Sequence, residues 1–251
     1  MRAAHDNWDA HWDDYAVAAE HNPAQRYRRG LSLRLLERRG TPQRIVDVGS
    51  GQGDFLVAAS RRWPSAQLAG LEASARGNEI GRNKVPTARF IDVDLVHDRV
   101  AAGGLSAWAT HALCSEVLEH VDDPSALLHN ARAYLGAGAR VVVTVPGGPM
   151  SAFDLRIGHR RHYTPDDLAA VFADAGLQTA MVGGAGYPFF NLYRRVIISR
   201  GERLAEEIST DTGSPKLAAR TAMLVFRPLL PLSLPRSRWG TQIVGVAYEP
   251  C

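Results

Sequence analysis

Residues 46–53, Val46-Asp47-Val48-Gly49-Ser50-Gly51-Gln52-Gly53, constrain this chain more than any other stretch. An apolar run, Ile45-Val46 with Val48, carries an acid near its end and then breaks into glycines at three alternate positions. Asp54 to Arg62 follows as a helix-like stretch. The succession predicts a buried strand, a tight loop and a helix start, in which glycine admits positive φ and lets a ligand lie against bare backbone. A dinucleotide fingerprint has the spacing G-x-G-x-x-G, and Asp54 stands where its third glycine belongs. A carboxylate there would repel a pyrophosphate, which disfavours a nicotinamide-dependent oxidoreductase. Asp47 and Asp54 together favour a ligand that is cationic or rich in hydrogen-bond donors.

This D-x-G-x-G-x-G stretch resembles the first motif of class I S-adenosylmethionine-dependent methyltransferases. Gln67 to Leu71 reads as a second strand ending in Glu72, 19 residues after Gly53, where an acid takes both ribose hydroxyls in doubly wound folds. The resemblance therefore implies S-adenosylmethionine as cofactor, with Asp47, Gly49, Gly51, Gly53 and Glu72 around it. It also implies that an acid after the third strand accepts a hydrogen bond from the adenine amine. Asp94 is preferred to its rival Asp92, because it comes at the strand end and precedes Leu95, which can cover the adenine.

At 251 residues, one α/β domain with an elaboration is the natural count. A net charge of +3 is too mild to imply a nucleic-acid partner. The two cysteines, Cys114 and Cys251, have no metal-binding spacing, which fits a reduced, cytoplasmic setting. Met1 to Tyr15 is polar and has no apolar core of a secretory signal. No run approaches the roughly 18 apolar residues that span a bilayer. The nearest, Ala222 to Leu234, is broken by Arg227, Pro228 and Pro231. With its arginines, the stretch 222–238 reads as a candidate for shallow peripheral docking on a membrane.

Ala24 to Arg39 reads as a helix that buries Tyr27, Leu31 and Leu35 and turns its arginines, Arg28 among them, to solvent. Strands at Arg44–Val48, Ala88–Val93, Thr110–Cys114 and Ala139–Val145 then alternate with helices from Asp54, from Asp123-Pro124 to Leu135 and from Pro165 to Ala175. This alternation predicts a Rossmann-like, doubly wound α/β sheet whose sites lie beyond the carboxyl ends of the strands. Leu177–Gly183 and Thr241–Tyr248 read as strands six and seven, and the resemblance makes the seventh antiparallel. About 57 residues separate the two strands, too many for a hairpin loop. The expected organisation is a helical cap segment over 1–43, a methyltransferase core over 44–186 and 241–251, and an inserted helical cap or lid over 187–240.

Cys114-Ser115-Glu116-Val117-Leu118-Glu119-His120-Val121 is similar to the corresponding segment of ubiquinone-biosynthesis O-methyltransferases and many bacterial small-molecule methyltransferases. Its E-x-x-E-H core also occurs in small-RNA 2′-O-methyltransferases, where it helps to hold a divalent metal. If helical, Glu116, Glu119 and His120 share one face. They then form either a candidate metal set or a base assembly in which a glutamate orients the histidine. Glu116 is also expected at the cofactor. The loop after the fifth strand, Gly158-His159-Arg160-Arg161-His162-Tyr163, resembles a G-H-x-R-x-Y segment of the same enzymes, with His162 where arginine is more usual. His120 and His159 are the expected catalytic pair, since a sulfonium cofactor leaves the enzyme mainly to align an oxygen and remove its proton.

The expectation is thus methyl transfer to a small-molecule acceptor, most naturally at a hydroxyl oxygen. A metal-dependent RNA 2′-O-methyltransferase and a catalytically silent cofactor-binding regulatory subunit are the alternatives. The sequence names neither the acceptor nor the oligomeric state.

Overall fold

The computed structural model describes residues 22–210 and 225–251. Seven strands form one sheet: β1 (Arg44–Val48), β2 (Gln67–Glu72), β3 (Arg89–Asp92), β4 (Ala109–Ser115), β5 (Leu135–Pro146), β6 (Gln178–Ala185) and β7 (Gln242–Tyr248). Their order is β3-β2-β1-β4-β5-β7-β6. The first five run parallel, and β7 is antiparallel to both β5 and β6. The doubly wound sheet and antiparallel last strand expected from the sequence are both present.

Alternation along each strand divides the core between the two faces of the sheet. Val46, Val48, Val141, Val143 and Val145 join one cluster with Leu127, Leu168 and Phe172. Ile45, Val142, Val244 and Val246 join the other with Tyr27, Leu31, Leu56, Phe190 and Tyr193. The first face is covered by α4 (Pro124–Ala131) and α6 (Pro165–Asp174), and the second by α1 (Pro23–Leu36), α2 (Asp54–Arg62) and α7 (Phe189–Thr210). Caps start the helices where the sequence places them. Asn22 caps α1 through Ala24 N at 2.9 Å, and α6 opens with a reciprocal Thr164–Asp167 capping box.

Three local expectations are corrected. The helix expected from Asp123 to Leu135 ends at Ala131, and after one 3₁₀ turn Leu135 already pairs with Ala109 as the first residue of β5. The first long helix also tightens into a 3₁₀ turn, Glu37–Arg39, before Gly40. Between β2 and β3 the chain forms α3 (Ala75–Lys84), which has almost no apolar periodicity to announce it. It packs through glycine instead: a Cβ on Gly81 would fall 2.4 Å from the Phe90 ring.

The segment between β6 and β7 is helical in α7 and again over residues 225–232, and irregular from Ser233 to Gly240. After α7, residues 225–240 return across it, with Phe226 and Leu230 buried in the second core. Leu234 N donates to Tyr187 O at 2.7 Å, and Gly186 N donates to Leu234 O at 2.9 Å. No helix among the described residues is long and apolar enough to cross a membrane. The polar segment Met1 to Tyr15, most of the Ser209–Pro215 linker and residues 222–224 lie outside the described residues.

Candidate active site

The glycine loop is shaped by its own backbone and by one carboxylate. Gly49, Gly51 and Gly53 all have left-handed φ, at 69°, 51° and 78°. Gly49 N and Ser50 N both donate to Leu71 O, at 2.8 and 3.1 Å, which ties the loop to the end of β2. Glu72 finishes the tie: its Oε2 accepts from Gly51 N and its Oε1 from Ser74 N, each at 2.8 Å. Any side chain at Gly49 would collide with Val117, whose methyl carbon lies 2.5 Å from the position of a Cβ. The loop therefore presents bare backbone, and the segment after β4 rests directly on it.

Its electrostatics differ in one respect from the sequence expectation. Asp54 does not face a ligand alone, since Lys84 Nζ lies 2.7 Å from its Oδ1. Asp47 is the buried acid of this region. Burial first, then the nearby Glu72 and Asp54 carboxylates, hold its pKa well above the usual carboxylate range. A cationic group arriving here would relieve that repulsion. Of the two candidate acids, Asp92 is taken up by Asn78 at 2.6 Å and Arg82 at 3.1 Å. The strand ends at Asp92 itself, against the sequence expectation, and Asp94 lies two residues beyond it, its Oδ1 accepting from Val96 N at 3.1 Å.

Glu116 is not helical. It sits at φ 57° immediately after β4, so the shared helical face expected for Glu116, Glu119 and His120 does not form. Its carboxylate points into a separate polar cluster. Oε1 accepts from Thr144 Oγ1 (3.1 Å) and Gln242 Nε2 (2.8 Å), and Arg28 Nη2 lies 3.0 Å from Oε2. Arg28 donates in turn to Gln242 Oε1 at 2.8 Å. Its side chain is only 12% exposed, so at least this arginine of α1 does not face solvent.

Glu119 and His120 end a 3₁₀ turn, Leu118–His120, and meet the loop after β5. Backbone bonds stitch the two segments: Arg160 N donates to Glu119 O (2.7 Å), and Tyr163 Oη donates to Leu118 O (2.9 Å). A chain of carbonyls then sets the imidazole tautomers, because a carbonyl oxygen can only accept. His162 Nδ1 lies 2.9 Å from Gly148 O, so it is the protonated nitrogen. Its neutral Nε2 must accept from His159 Nδ1 at 3.0 Å. His120 Nδ1 donates to Gly158 O at 3.2 Å. In the neutral rings, Nε2 of both His120 and His159 is thus the nitrogen without the proton. Both aim at Glu119 Oε1, at 3.9 and 4.0 Å.

These gaps exceed a hydrogen bond. Glu119 is fully buried, and neither of its oxygens has a hydrogen-bond partner among the described residues. Burial first, and the Glu116 carboxylate second, raise its pKa well above the ordinary value. Burial and the neighbouring His120 push His159 down to about 3. One ligand atom from each of Glu119, His120 and His159 lies within 4.8 Å of the others, a spacing that suits a cation. Of the metal set expected from the sequence, Glu116 thus drops out, while His159 joins Glu119 and His120. A second group, Asp154, His159 and His162, has similar spacing. There a guanidinium already occupies the acid: Arg194 reaches both Asp154 oxygens at 2.9 Å.

Asp154, on the short helix α5 (Ala152–Arg156), is the main component that sequence reasoning missed. It is wholly buried, accepts from Ser151 N and Oγ at 2.8 Å, and lies 3.8–3.9 Å from His162 and His159. Burial alone would raise its pKa, but Arg194 and Ser151 outweigh that and hold it below the ordinary value. The only sequence signal was an acid amid the loop and a basic pair, Arg194-Arg195, far downstream.

Comparison with known proteins agrees with this architecture. A family model described as "Methyltransferase domain" matches residues 19–181. The ubiquinone biosynthesis O-methyltransferase of Thiobacillus denitrificans is 26% identical over 216 residues, covering 76% of this chain and 86% of that protein. A trans-aconitate 2-methyltransferase of Rhodopseudomonas palustris is 30% identical over 105 residues, 42% of this chain and 39% of that one. Among solved structures, the Haemonchus contortus phosphoethanolamine N-methyltransferase 2 superposes with a TM-score of 0.65 at 15% identity, covering 99% of this chain and 61% of that chain. The geranyl diphosphate C-methyltransferase of Streptomyces coelicolor gives 0.57 at 14%, covering 90% and 77%. These two likenesses show the fold alone. With the family model spanning well over half of its residues, the chain belongs to the methyltransferase-domain family, as a class I enzyme that uses S-adenosylmethionine.

Proposed function

We propose that this methyltransferase transfers the S-adenosylmethionine methyl group to a hydroxyl oxygen of a small-molecule acceptor, with His120 as the proton acceptor. The observation that carries the reading is the convergence of Nε2 of His120 and of His159 on the buried Glu119 carboxyl, at 3.9 and 4.0 Å. A hydroxyl in line with the sulfonium methyl loses its proton to Nε2 of His120 as the O–C bond forms, and the cofactor leaves as the neutral thioether. The Glu119 carboxyl beside His120 then stabilises the imidazolium. His159 completes the assembly from the loop after β5.

On the cofactor side, Gly49, Gly51 and Gly53 offer bare backbone, and Asp47 offers a carboxyl that an arriving cation would favour in its charged form. Glu72, at the end of β2 beside the glycine loop, is assigned to the ribose hydroxyls. Asp94 is assigned to the adenine amine. Glu116 heads the segment that Val117 lays on Gly49, which brings the cofactor and acceptor sides together. The match to a ubiquinone biosynthesis O-methyltransferase over most of both chains supports oxygen as the acceptor atom. Residues 187–240 are assigned as the cap over the acceptor side, because Arg194 from α7 holds the loop that carries His159.

A second reading rests on the same convergence of lone pairs: a divalent cation bound by Glu119, His120 and His159 and activating the hydroxyl directly. One experiment separates the two. Methyl-labelled cofactor is incubated with catechols, hydroxybenzoates, polycarboxylic acids and a short RNA, in EDTA and in magnesium or manganese. O-methylated phenolic product in EDTA is the expected result. Product that appears only with metal selects the second reading. Label confined to carboxylates or RNA, or adenosylhomocysteine binding with no turnover on any acceptor, contradicts the proposal.

A further inference from the structure

Nine large apolar side chains are exposed among the described residues, and their distribution is uneven. Six lie between β6 and β7: Tyr187, Leu192, Val225, Leu232, Leu234 and Trp239. They are brought together by bonds already in place. Leu234 N bonds Tyr187 O, the Tyr187 and Trp239 rings lie 5.3 Å apart, and the amide of Asn191, next to Leu192, donates to Trp239 O. The inward side of the same segment is satisfied, because Phe190, Tyr193, Phe226 and Leu230 are buried in the second core. The outward residues are therefore not an unfinished core. Leu232 is 66% exposed and Trp239 56%, values seldom gathered in one place on a surface that meets only water.

Charge indicates what covers this surface. Residues 225–240 contain Arg227, Arg236 and Arg238 and no acid. All three arginines are exposed, as is Arg195 on α7. The Arg238 guanidinium lies over the Trp239 ring, 4.5 Å from its centroid. Leucines flanked by tryptophan, tyrosine and arginine match the layering of a bilayer interface, with acyl chains below, rings at headgroup level and cations against lipid phosphate. A second copy of the chain would bring arginine against arginine. Pro228, Pro231 and Pro235 interrupt the run, which suits a segment lying on a membrane and not one crossing it.

We propose that the outer face of the segment between β6 and β7 is a docking surface for anionic phospholipid bilayers. Binding is peripheral and joins shallow burial of Leu232, Leu234 and Trp239 to attraction by Arg227, Arg236 and Arg238. The helix that carries exposed Leu192 also carries Arg194, which grips Asp154 beneath the histidine loop. The docking face and the acceptor side thus share one element. This proposal stands whatever the acceptor is.

The test is flotation of the full chain with neutral phosphatidylcholine vesicles and with vesicles containing phosphatidylglycerol, at low and high salt. The protein is expected to float with the anionic vesicles and to be released as salt rises. Arg236→Ser with Arg238→Ser should weaken partitioning by about fivefold for each arginine. Leu232→Ser, Leu234→Ser and Trp239→Ser combined should abolish it, with adenosylhomocysteine affinity unchanged as the check on folding. The arginine pair, which removes no buried group, serves as the independent variant. No flotation at low salt, equal flotation on neutral vesicles, or a dimer in light scattering that the Trp239 variant dissolves would each overturn the proposal.

Discussion

The two halves of the carboxyl edge of the sheet are built by different means. The cofactor half is made of backbone from neighbouring segments: three left-handed glycines, two bonds to Leu71 O, and one carboxylate from the next strand. The acceptor half is made of side chains from elements far apart in the chain. Arg28 reaches Gln242 across 214 residues, Gln242 reaches Glu116 across 126, and Arg194 reaches Asp154 across 40. A site made of backbone is fixed wherever its local sequence folds. A site made of buried ion pairs depends on every contributor, and removing one leaves an uncompensated charge.

That contrast ranks the expected effects of mutation. The largest belongs to Arg194→Met, which strips both hydrogen bonds from the buried Asp154 carboxylate and should cost about 3–5 kcal/mol of stability. Thermal unfolding would measure it, and Arg194→Lys should recover part. Adenosylhomocysteine binding at a temperature where the variant is folded should remain within a few-fold of normal. An equal loss in the cofactor half would break the comparison. Next is Glu72→Ala, which leaves Gly51 N and Ser74 N without their acceptor and removes the expected ribose ligand. Calorimetry should show adenosylhomocysteine affinity falling by about a hundredfold, with bonds to a charged group worth roughly 1.5–3 kcal/mol each. The smallest is Gly49→Ala, which places a Cβ against Val117 and strains a left-handed residue, at about 1–3 kcal/mol. Adding Val117→Ala should restore part of that loss. No restoration would mean that the two halves do not touch there.

The same contrast explains what could be read from the sequence. The parallel sheet and the glycine loop were legible because each is encoded over a few consecutive residues as periodicity, capping or glycine spacing, whereas the antiparallel last strand was implied by the family resemblance alone. Helix α3 was not, since Gly77, Asn78 and Gly81 are its buried residues and its packing relies on the absence of side chains. At the site, His120, His159 and Glu119 stood out as residue types. Their actual grouping, with Glu116 turned away to Arg28 and Gln242, depends on a single left-handed residue after β4. Arg28 looked like one solvated arginine among many, and the partner of Asp154 lay beyond β6. Pairings across such distances leave no local pattern.

The account turns on the Nε2 atoms of His120 and His159, which converge on Glu119. Long-range nitrogen–proton NMR of histidine-labelled protein, titrated downward from neutral pH, reads them directly. Each ring should carry a proton on Nδ1, which faces Gly158 O in His120 and His162 Nε2 in His159. His159 should stay neutral as pH falls well below 6.5, because its pKa is depressed to about 3. Being depressed, that group stabilises the fold fully above pH 6.5 and loses its contribution as pH falls toward 3. An imidazolium at His159 near pH 6.5, or a proton on Nε2 of His120, would contradict the proposed role of this pair.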